Sequence, residues 1–288
     1  MVTRIRWPLN SASLCCAMSS ASERCRWTRR LRRTGFTPSA RPLFLSLHFN
    51  APHWPWEGPD DEAVSKTLKA LRHEDGGDEA TYLKMIEAMD AAIGRVLAAL
   101  DRTGRGRRAI VVFTSDNGGE RFSDTWPLTG MKGELLEGGI RAPAIVRWPG
   151  QIPAGRVLDQ VAAGMDWMPT LLAAAGIALS AAYPSDGENL LPVLRGQAPS
   201  HPRKLFWRFK NAEQAAVRDG DWKYLKLGGK DHLFDVAKDP RERADRKALE
   251  PEVFKRLKAD YDAWNRTMLP YPVDSVTENQ KAHVADRY

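Results

Sequence analysis

The stretch VVFTSDNGGE, residues 111–120, sets an apolar run directly against a cluster of turn-forming residues. Residues 110–113 are β-branched or aromatic throughout, which is typical of a strand buried on both faces. The residues that follow favour turns, so the strand is predicted to end at Thr114. Ligands of open α/β sheets lie beyond the carboxyl ends of strands, where Asp116 and Asn117 stand here. An ordinary Asx turn also explains these ten residues when they are taken alone.

Hydrophobic periodicity around this strand predicts alternating strands and helices. Residues 43–49 form a second apolar run of strand length, and residues 78–102 place their apolar side chains on one helix face. A strand, a helix and another buried strand in this order predict a βαβ unit with a right-handed crossover. The fold class expected is therefore α/β, with a mostly parallel sheet flanked by helices.

The C-terminal part of the chain changes character after a polar segment that contains proline and glycine. Strands are predicted at residues 205–209, 215–217 and 222–227, which are short and follow one another as in an antiparallel sheet. Residues 250–264 then carry one apolar helix face. Together they predict a small antiparallel sheet plus helix, a C-terminal subdomain assigned to residues 201–288.

The positive charge is confined to one end of the chain. The formal net charge is +7, yet residues 1–41 carry nine arginines and a single acid, and the remainder carries 34 basic and 35 acidic residues. Because the folded body is near neutral, no nucleic acid binding is predicted for it. No apolar run reaches roughly eighteen residues, so no membrane-spanning segment is predicted.

Residues 1–40 show neither the helical nor the strand period and contain all three cysteines, Cys15, Cys16 and Cys25. This segment is predicted to be an unstructured or anomalous basic leader, and a polyanion-binding arm is the alternative. Its apolar stretch is short and interrupted, so no signal peptide is visible and the localisation is left open. The partial α/β domain predicted after it covers residues 41–200.

Three loops that flank predicted strands carry side chains suited to catalysis. FNAPHWPW contains His53, SDNGGE contains Asp116 and Asn117, and LTGMKGELLEGGIRAP contains Lys132. Each loop is weak evidence alone, because a single loop histidine or lysine is usually structural or solvated. A Gly-Gly pair likewise usually marks a tight turn.

Taken in order, these motifs resemble the C-terminal half of the sulfatases, which belong to the alkaline phosphatase superfamily of metal-dependent hydrolases. The resemblance is collinear over roughly residues 41–270 and includes DWMPTLLAAAG at 166–176, DGENLLPVLRG at 186–196 and DHLFDVAKDPRERADR at 231–246. It implies a calcium-dependent hydrolase of sulfate esters whose substrate is a sulfated small molecule or glycan. It also favours a functional interpretation of SDNGGE over the simple turn.

The resemblance implies roles for individual residues. Asp116 and Asn117 match the pair whose carboxylate and amide oxygens bind calcium in sulfatases, and hard cations take oxygen ligands. Lys132 matches the lysine that binds the sulfate group, where its charge offsets negative charge on the ester oxygens as the S–O bond breaks. His53 matches the histidine beside the sulfate and its leaving oxygen, a position suited to hydrogen bonding or proton donation. Arg141 is assigned a structural role.

The chain departs from the family pattern upstream of His53. The resemblance implies a strand ending in two metal-binding aspartates, a Cys-x-Pro-x-Arg segment that provides the formylglycine nucleophile, and a Lys-x-His segment, and the sequence contains none of them there. Cys25 and Arg29 have the motif spacing, but Trp27 stands in place of the proline. No nucleophile is assigned, the calcium site is expected to be incomplete, and the polypeptide is expected to be a truncated sulfatase that is inactive alone.

Two alternatives stay open at this stage. A phosphoesterase or phosphonate hydrolase of the same superfamily would place Asp116 at a second metal ion, although the Asn and Lys of these motifs favour a single-metal sulfatase site. A non-catalytic remnant with a polyanion-binding leader would show salt-dependent binding to DNA or heparin. The sulfatase interpretation predicts that His53, Asp116, Asn117 and Lys132 meet around one pocket at the rim of the parallel sheet.

Overall fold

The computed structural model of the chain describes residues 13–18, 42–61, 63, 67 and 77–271. Most of the leader predicted at residues 1–40 lies outside this range. The chain forms two compact units, residues 1–109 and residues 110–288. The division predicted at residues 40 and 200 stays a prediction.

The first unit contains a pair of strands and a long helix. Strands β1 (Ser13–Met18) and β2 (Phe44–Phe49) pair in parallel, and β1 lies in the segment for which no secondary structure is predicted. Helix α1 (Glu79–Arg102) begins after Asp78, whose Oδ1 accepts a hydrogen bond from the backbone N–H of Thr81 at 2.7 Å. α1 and β2 confirm the helix and the strand predicted from periodicity. No helix in the described part of the chain is long and apolar enough to cross a membrane.

The second unit begins with β3 (Val111–Thr114), which pairs with β4 (Ala144–Arg147) in antiparallel register. The predicted mostly parallel sheet is therefore not seen among the described residues, where β1 and β2 form the only parallel pair. The reason is that an apolar run indicates a strand but not the direction of its neighbour. β3 is also less buried than expected, since Phe113 is 36% exposed.

Two helices of this unit, α3 (Trp167–Ala174) and α4 (Leu191–Leu194), approach one face of the β3–β4 pair. A small apolar cavity lies between them and is lined by Val112, Val146, Leu171 and Leu191, among others. Side chains alternate along a strand, so the register partners Phe113 and Ile145 occupy the opposite face. Ile145 is 62% exposed there, which leaves this face of the pair largely open.

The C-terminal sheet is antiparallel, as predicted, and has one strand more than predicted. Its four strands lie side by side in chain order: β5 (Lys204–Phe209), β6 (Gln214–Asp219), β7 (Trp222–Leu227) and β8 (Lys230–Asp235). The sequence gives a weak signal for β8 because three of its first four residues are Lys, Asp and His. The predicted helix follows as α5 (Pro251–Asn265).

The C-terminal sheet is covered on both faces, and successive residues alternate between them. The face toward α5 packs around Leu257 with the buried side chains Val217, Tyr224 and Leu233. The opposite face packs against Leu135, Leu136 and Ile140 with the side chains Ala216, Leu225 and Phe234. Ile140 ends the short helix α2 (Glu137–Ile140). The sheet thus separates α5 from the loop that carries Lys132.

Candidate functional site

Two loops of the second unit are joined backbone to backbone just beyond the end of β3. The N–H of Lys132 donates to the carbonyl of Gly119 at 2.7 Å, and the N–H of Gly118 donates to the carbonyl of Gly139 at 2.9 Å. The SDNGGE segment is therefore bonded to the Lys132 loop at two points, Lys132 and Gly139. Two of the three motifs that suggested a common site are thus joined by hydrogen bonds, and the third, FNAPHWPW, lies in the first unit.

Glycine at these positions is explained by the closeness of the two backbones. A Cβ atom on Gly118 would lie 1.8 Å from the carbonyl oxygen of Gly138, and one on Gly138 would lie 2.2 Å from the carbonyl oxygen of Gly130. Neither obstacle is a movable side chain, so a methyl group there would push the loops apart. The glycines of SDNGGE and EGG therefore permit the loops to pack, which is more than the tight turn usually expected of a Gly-Gly pair.

Asp116 and Asn117 stand at the start of the first loop, with Asp116 exposed and Asn117 partly buried. The side-chain Nδ2 of Asn117 donates to the carbonyl of Gly118 at 2.8 Å. Because that bond uses the amide nitrogen, Oδ1 is the atom of Asn117 that can act as a ligand. Two oxygen donors of the predicted kinds, a carboxylate and an amide, are thus adjacent at the end of β3.

Lys132 has a charged neighbour that was not predicted. Its Nζ lies 3.2 Å from Oε2 of Glu120, the last residue of the SDNGGE motif. Both side chains are mostly buried, with 22% of Lys132 and 14% of Glu120 exposed. The ion pair ties the two loops together through their side chains as well as their backbones, and it holds the ammonium group beside the first loop.

His53 belongs to the first unit, so its predicted place beside the other three residues stays a prediction. Its backbone N–H donates to the carbonyl of Asn50 at 2.8 Å, and its ring Nδ1 lies 2.7 Å from the carbonyl of Trp54. A carbonyl can only accept, so Nδ1 donates this hydrogen bond and carries a proton.

The side-chain oxygens of Asp116 and Asn117 are of the type that binds calcium, but two residues alone do not complete a calcium site. Calcium takes about six to eight oxygen ligands, and Asp116 and Asn117 offer side-chain oxygens next to each other. Among the residues that the structure describes, no group of three or more His, Cys, Asp and Glu side chains could hold a metal ion. The two residues could supply part of a calcium site, and the remaining ligands would come from other groups.

Gln214, at the first position of β6, fastens the Lys132 loop to the C-terminal sheet. Its Oε1 accepts from the N–H of Leu135 at 2.8 Å, and its Nε2 donates to the carbonyl of Gly133 at 2.9 Å. The amide side chain of Gln214 therefore pairs with one backbone N–H and one backbone carbonyl of the loop, as the backbone of a neighbouring strand would. These bonds hold the backbone immediately after Lys132.

A buried cluster of charges forms a second attachment between this loop and the sheet. The ammonium of Lys223 lies 2.9 Å from Glu137 and 2.8 Å from Glu242, and none of its side chain is exposed. The backbone N–H of Glu137 also donates to Glu242 at 2.6 Å, and Arg218 lies 3.5 Å from Glu137. Breaking such a cluster leaves an uncompensated charge in the interior, so all of its members are needed together.

Burial raises the pKa of both carboxylates in this cluster, but their net pKa shifts have opposite directions. Burial raises the pKa of Glu137, but attraction to Lys223 and Arg218 outweighs it and holds the pKa below its usual value. Burial raises the pKa of Glu242 above its usual value, and attraction to Lys223 offsets only part of this rise. One ammonium cannot compensate two buried carboxylates, and Arg218 supports Glu137.

Sequence analysis missed the residues that support the site: Glu120, Gln214, Lys223 and Glu242. For Lys223 a signal existed, since in the strand WKYLKL it shares a face with Leu225, which packs in the core. A lysine at an inward position of a strand requires a buried partner of opposite charge. The partners themselves could not be inferred, because they are distant in sequence.

Comparison with known proteins identifies the class to which this fold and site belong. The family model described as Sulfatase matches residues 26–177, and the model described as N-sulphoglucosamine sulphohydrolase, C-terminal, matches residues 132–263. The chain belongs to the sulfatase family, a family of sulfuric ester hydrolases. The resemblance drawn from the motifs is confirmed.

Individual relatives show how much of a sulfatase the chain represents. Steryl-sulfatase of Mus musculus is 36% identical over 192 residues, which cover 62% of this chain and 28% of that protein. N-acetylgalactosamine-6-sulfatase of Canis lupus familiaris is 38% identical over 190 residues, which cover 64% and 34%. The crystal structure of Ps i-CgsB in complex with k-i-k-neocarrahexaose is similar with a TM-score of 0.71 and 27% identity, covering 83% of this chain and 53% of that one. The chain thus spans between 28% and 53% of these relatives.

Proposed function

We propose that this chain binds sulfate esters at its SDNGGE and Lys132 loops, as the calcium-assisted part of a sulfuric ester hydrolase site. The observation that carries the proposal is the direct hydrogen bonding between the two loops, which presents Asp116, Asn117 and Lys132 from one rigid support. Rigid placement matters because catalytic electrostatics depends on charges that are already in position when the ligand arrives.

Lys132 is proposed to bind the sulfate oxygens. Its ammonium group has three N–H donors, so it can keep the ion pair with Glu120 at 3.2 Å while donating to a sulfate oxygen. Glu120 holds the ammonium in place between ligands. The positive charge then offsets negative charge on the ester oxygens as the S–O bond lengthens.

Asp116 and Asn117 are proposed to hold the calcium ion through a carboxylate oxygen and Oδ1. When bound, the ion supplies additional positive charge against the sulfate oxygens. Two side-chain ligands are fewer than a tight site requires, so we expect weak calcium binding by this polypeptide.

His53 is proposed to donate a hydrogen bond or a proton to the leaving oxygen from Nε2. The hydrogen bond between Nδ1 and the Trp54 carbonyl, at 2.7 Å, fixes the ring nitrogen that takes this role. The 288 residues contain no Cys-x-Pro-x-Arg segment, and no nucleophile is assigned. We therefore propose binding without turnover for this chain. The ligand class is a sulfated small molecule or glycan, since the relatives include sulfatases named for a sterol and for an amino sugar.

The proposal is tested by titrating the full chain with 4-nitrophenyl sulfate in an isothermal calorimeter, with and without millimolar calcium. Lys132→Met is expected to weaken binding about tenfold, the equivalent of losing one charge-assisted hydrogen bond. Asp116→Asn is expected to remove the effect of calcium and to leave calcium-free binding unchanged. The matched control is Lys238→Met, because Lys238 is 86% exposed in a surface ion pair.

Binding that is equally tight in wild type and Lys132→Met would refute the assignment of the sulfate site. Hydrolysis of the ester by the wild-type chain, abolished in Asp116→Ala, would refute the proposed lack of turnover while supporting the site.

A further inference from the structure

Trp126 is the only tryptophan among the described residues whose side chain is largely exposed, at 67%. Full burial of a large apolar side chain stabilises a fold, so this exposure forgoes a stabilisation. Tryptophan is highly buried on average, and exposed aromatic side chains are concentrated where ligands or partners bind. The position of Trp126 therefore calls for a functional explanation.

Trp126 is held in place by its neighbours. The guanidinium of Arg241 lies 4.3 Å from the centre of the indole ring in a cation–π contact. The backbone N–H of Trp126 donates to Asp124 at 2.8 Å, and the hydroxyl of Thr129 donates to the carbonyl of Arg241 at 2.7 Å. The loop that carries the indole and the turn that carries the guanidinium are thus bonded to each other. The two side chains form a preformed pair, named here the Trp126–Arg241 platform.

Trp126, one half of the platform, lies on the segment between Glu120 and the proposed sulfate-binding residue Lys132. Glu120 and Lys132 form an ion pair, and Trp126 is six residues from each of them along the chain. The far part of this segment is also fixed, because the carbonyl of Thr129 accepts from the N–H of Gly138 at 2.8 Å. The segment that carries Trp126 is therefore bonded to the loop that carries Lys132.

We propose that the Trp126–Arg241 platform is a subsite for a negatively charged sugar ring adjacent to the sulfated one. This proposal rests on the proposed function and specifies its substrate class. The open face of an indole stacks on the apolar C–H face of a pyranose, and an indole offers a large contact area with little loss of side-chain entropy. A guanidinium that stacks on an aromatic ring keeps its N–H edge free for a carboxylate or a second sulfate.

The surroundings of the platform favour a charged saccharide over a sterol. A sterol is recognised by an enclosed apolar cavity that removes most of its surface from water. Trp126 instead stands exposed, with the carboxylate of Asp124 and the guanidinium of Arg241 as its immediate contacts. One apolar face beside a fixed positive charge matches a ring that has an apolar side and an anionic substituent.

The test compares three ligands by calorimetric titration of the full chain. The probes are a heparin disaccharide with a uronate and several sulfates, 4-nitrophenyl sulfate, which lacks a second ring, and a steroid sulfate. Trp126→Ala and Arg241→Met are each expected to weaken binding of the disaccharide about tenfold and to change binding of 4-nitrophenyl sulfate less than twofold. Trp126→Phe is expected to restore part of the loss because it restores a stacking surface.

Two controls match these variants. Arg243→Met removes an arginine two residues from Arg241 whose exposed side chain lies outside the platform, and Tyr183→Ala removes an aromatic side chain that is 80% exposed elsewhere. Both are expected to bind all three probes like the wild type. Circular dichroism spectra should be unchanged in every variant, and urea midpoints should move little for Trp126→Ala, Arg243→Met and Tyr183→Ala, whose side chains are exposed.

The outcomes separate this proposal from the one on which it rests. Disaccharide binding that is unaffected by Trp126→Ala and Arg241→Met overturns the subsite, as does an equal loss for all three probes or a loss confined to the steroid sulfate. If Lys132→Met weakens 4-nitrophenyl sulfate in the same series, the proposed function survives. If the wild-type chain binds no sulfate ester at all, the proposed function fails and the subsite with it.

Discussion

The C-terminal sheet and the β3–β4 pair are both antiparallel, yet they differ in how completely their side chains are covered. In the C-terminal sheet, Val217 is buried on the face that α5 covers, and Leu225 is buried on the face that the Lys132 loop covers. In the β3–β4 pair, Phe113 is 36% exposed and Ile145 is 62% exposed. The β3–β4 pair contributes less to the core although its strands, VVFT and AIVR, are more apolar than β6 and β8.

The difference shows where the candidate site obtains its rigidity. Glu120, Lys132 and the glycines that join the loops follow β3, but the attachments of the Lys132 loop reach the C-terminal sheet at Gln214 and Lys223. The strand end supplies the functional groups, and the fully covered sheet supplies the support. Disruption of the sheet should therefore affect stability more than disruption of the strand pair.

The largest expected effect is on the buried charge cluster. Lys223→Met leaves Glu242 without its main compensating charge, and we expect a loss of about 3–5 kcal/mol in the free energy of unfolding. Urea unfolding followed by circular dichroism measures it. Lys255→Met is the control, since its ion pair with Glu252 is exposed and should contribute less than about 1 kcal/mol.

The same cluster allows a sharper measurement. The double variant Lys223→Met with Glu242→Met should recover part of the loss, because it no longer buries the Glu242 charge, while Glu137 keeps Arg218 at 3.5 Å as its charged partner. A Lys223→Met variant as stable as the Lys255→Met control would show that the cluster does not hold the loop to the sheet.

A smaller effect should distinguish the two regions directly. Leu233→Ala removes a side chain with no exposed surface and is expected to cost about 2–5 kcal/mol. Ile145→Ala removes a side chain that is 62% exposed and should cost less than about 1 kcal/mol. Urea unfolding of the two variants side by side gives the comparison. Equal costs would mean that the open face of the β3–β4 pair is covered in solution.

The smallest expected effect is on the pH dependence of stability. The pKa of Glu242 is raised in the folded state, so the folded chain binds this proton more tightly than the unfolded chain does. The stabilisation is complete below the unfolded pKa of about 4.3 and is lost as the pH rises through the folded pKa. Glu242→Gln removes this titration and should flatten the decline in stability above the unfolded pKa.

Unfolding free energies at a series of pH values, for wild type and Glu242→Gln, provide this measurement. Below the unfolded pKa, the free energy of unfolding should instead fall as the pH falls. The reason is that Glu137 contributes stability that is lost as the pH falls through its lowered pKa. Parallel curves for the two proteins above pH 5 would contradict the raised pKa of Glu242.

Local patterns predicted the elements whose period is clear. The 3.6-residue spacing of α1 and the short apolar runs of β6 and β7 are properties of neighbouring residues, so they can be inferred from a single sequence. The pairing of β3 with β4 could not be inferred in this way, because strand direction is decided by the chain between them. Asp116, Asn117 and Lys132 are assigned from the resemblance to the sulfatases; the structure places them on two hydrogen-bonded loops, and their roles stay predictions.

The residues that support the site could not be predicted because they are far in the sequence from the loop that they contact. Gln214 bonds to Leu135 across 79 positions, and Glu242 accepts from Glu137 across 105 positions. No local period relates residues so far apart. Their contacts follow from the packing of the C-terminal sheet against the loop, which only the folded chain reveals.

Successive side chains of β7 point to an apolar environment on one face and to buried charges on the other, and this affects which strand register is stable. A slip of one position in the pairing of this strand would exchange its two sides, turning Lys223 toward the apolar surface of α5 and Tyr224 toward two carboxylates. Both placements would be costly at once, so mispaired arrangements are penalised twice. The buried ammonium of Lys223 therefore favours the correct strand register over one that is shifted by one residue.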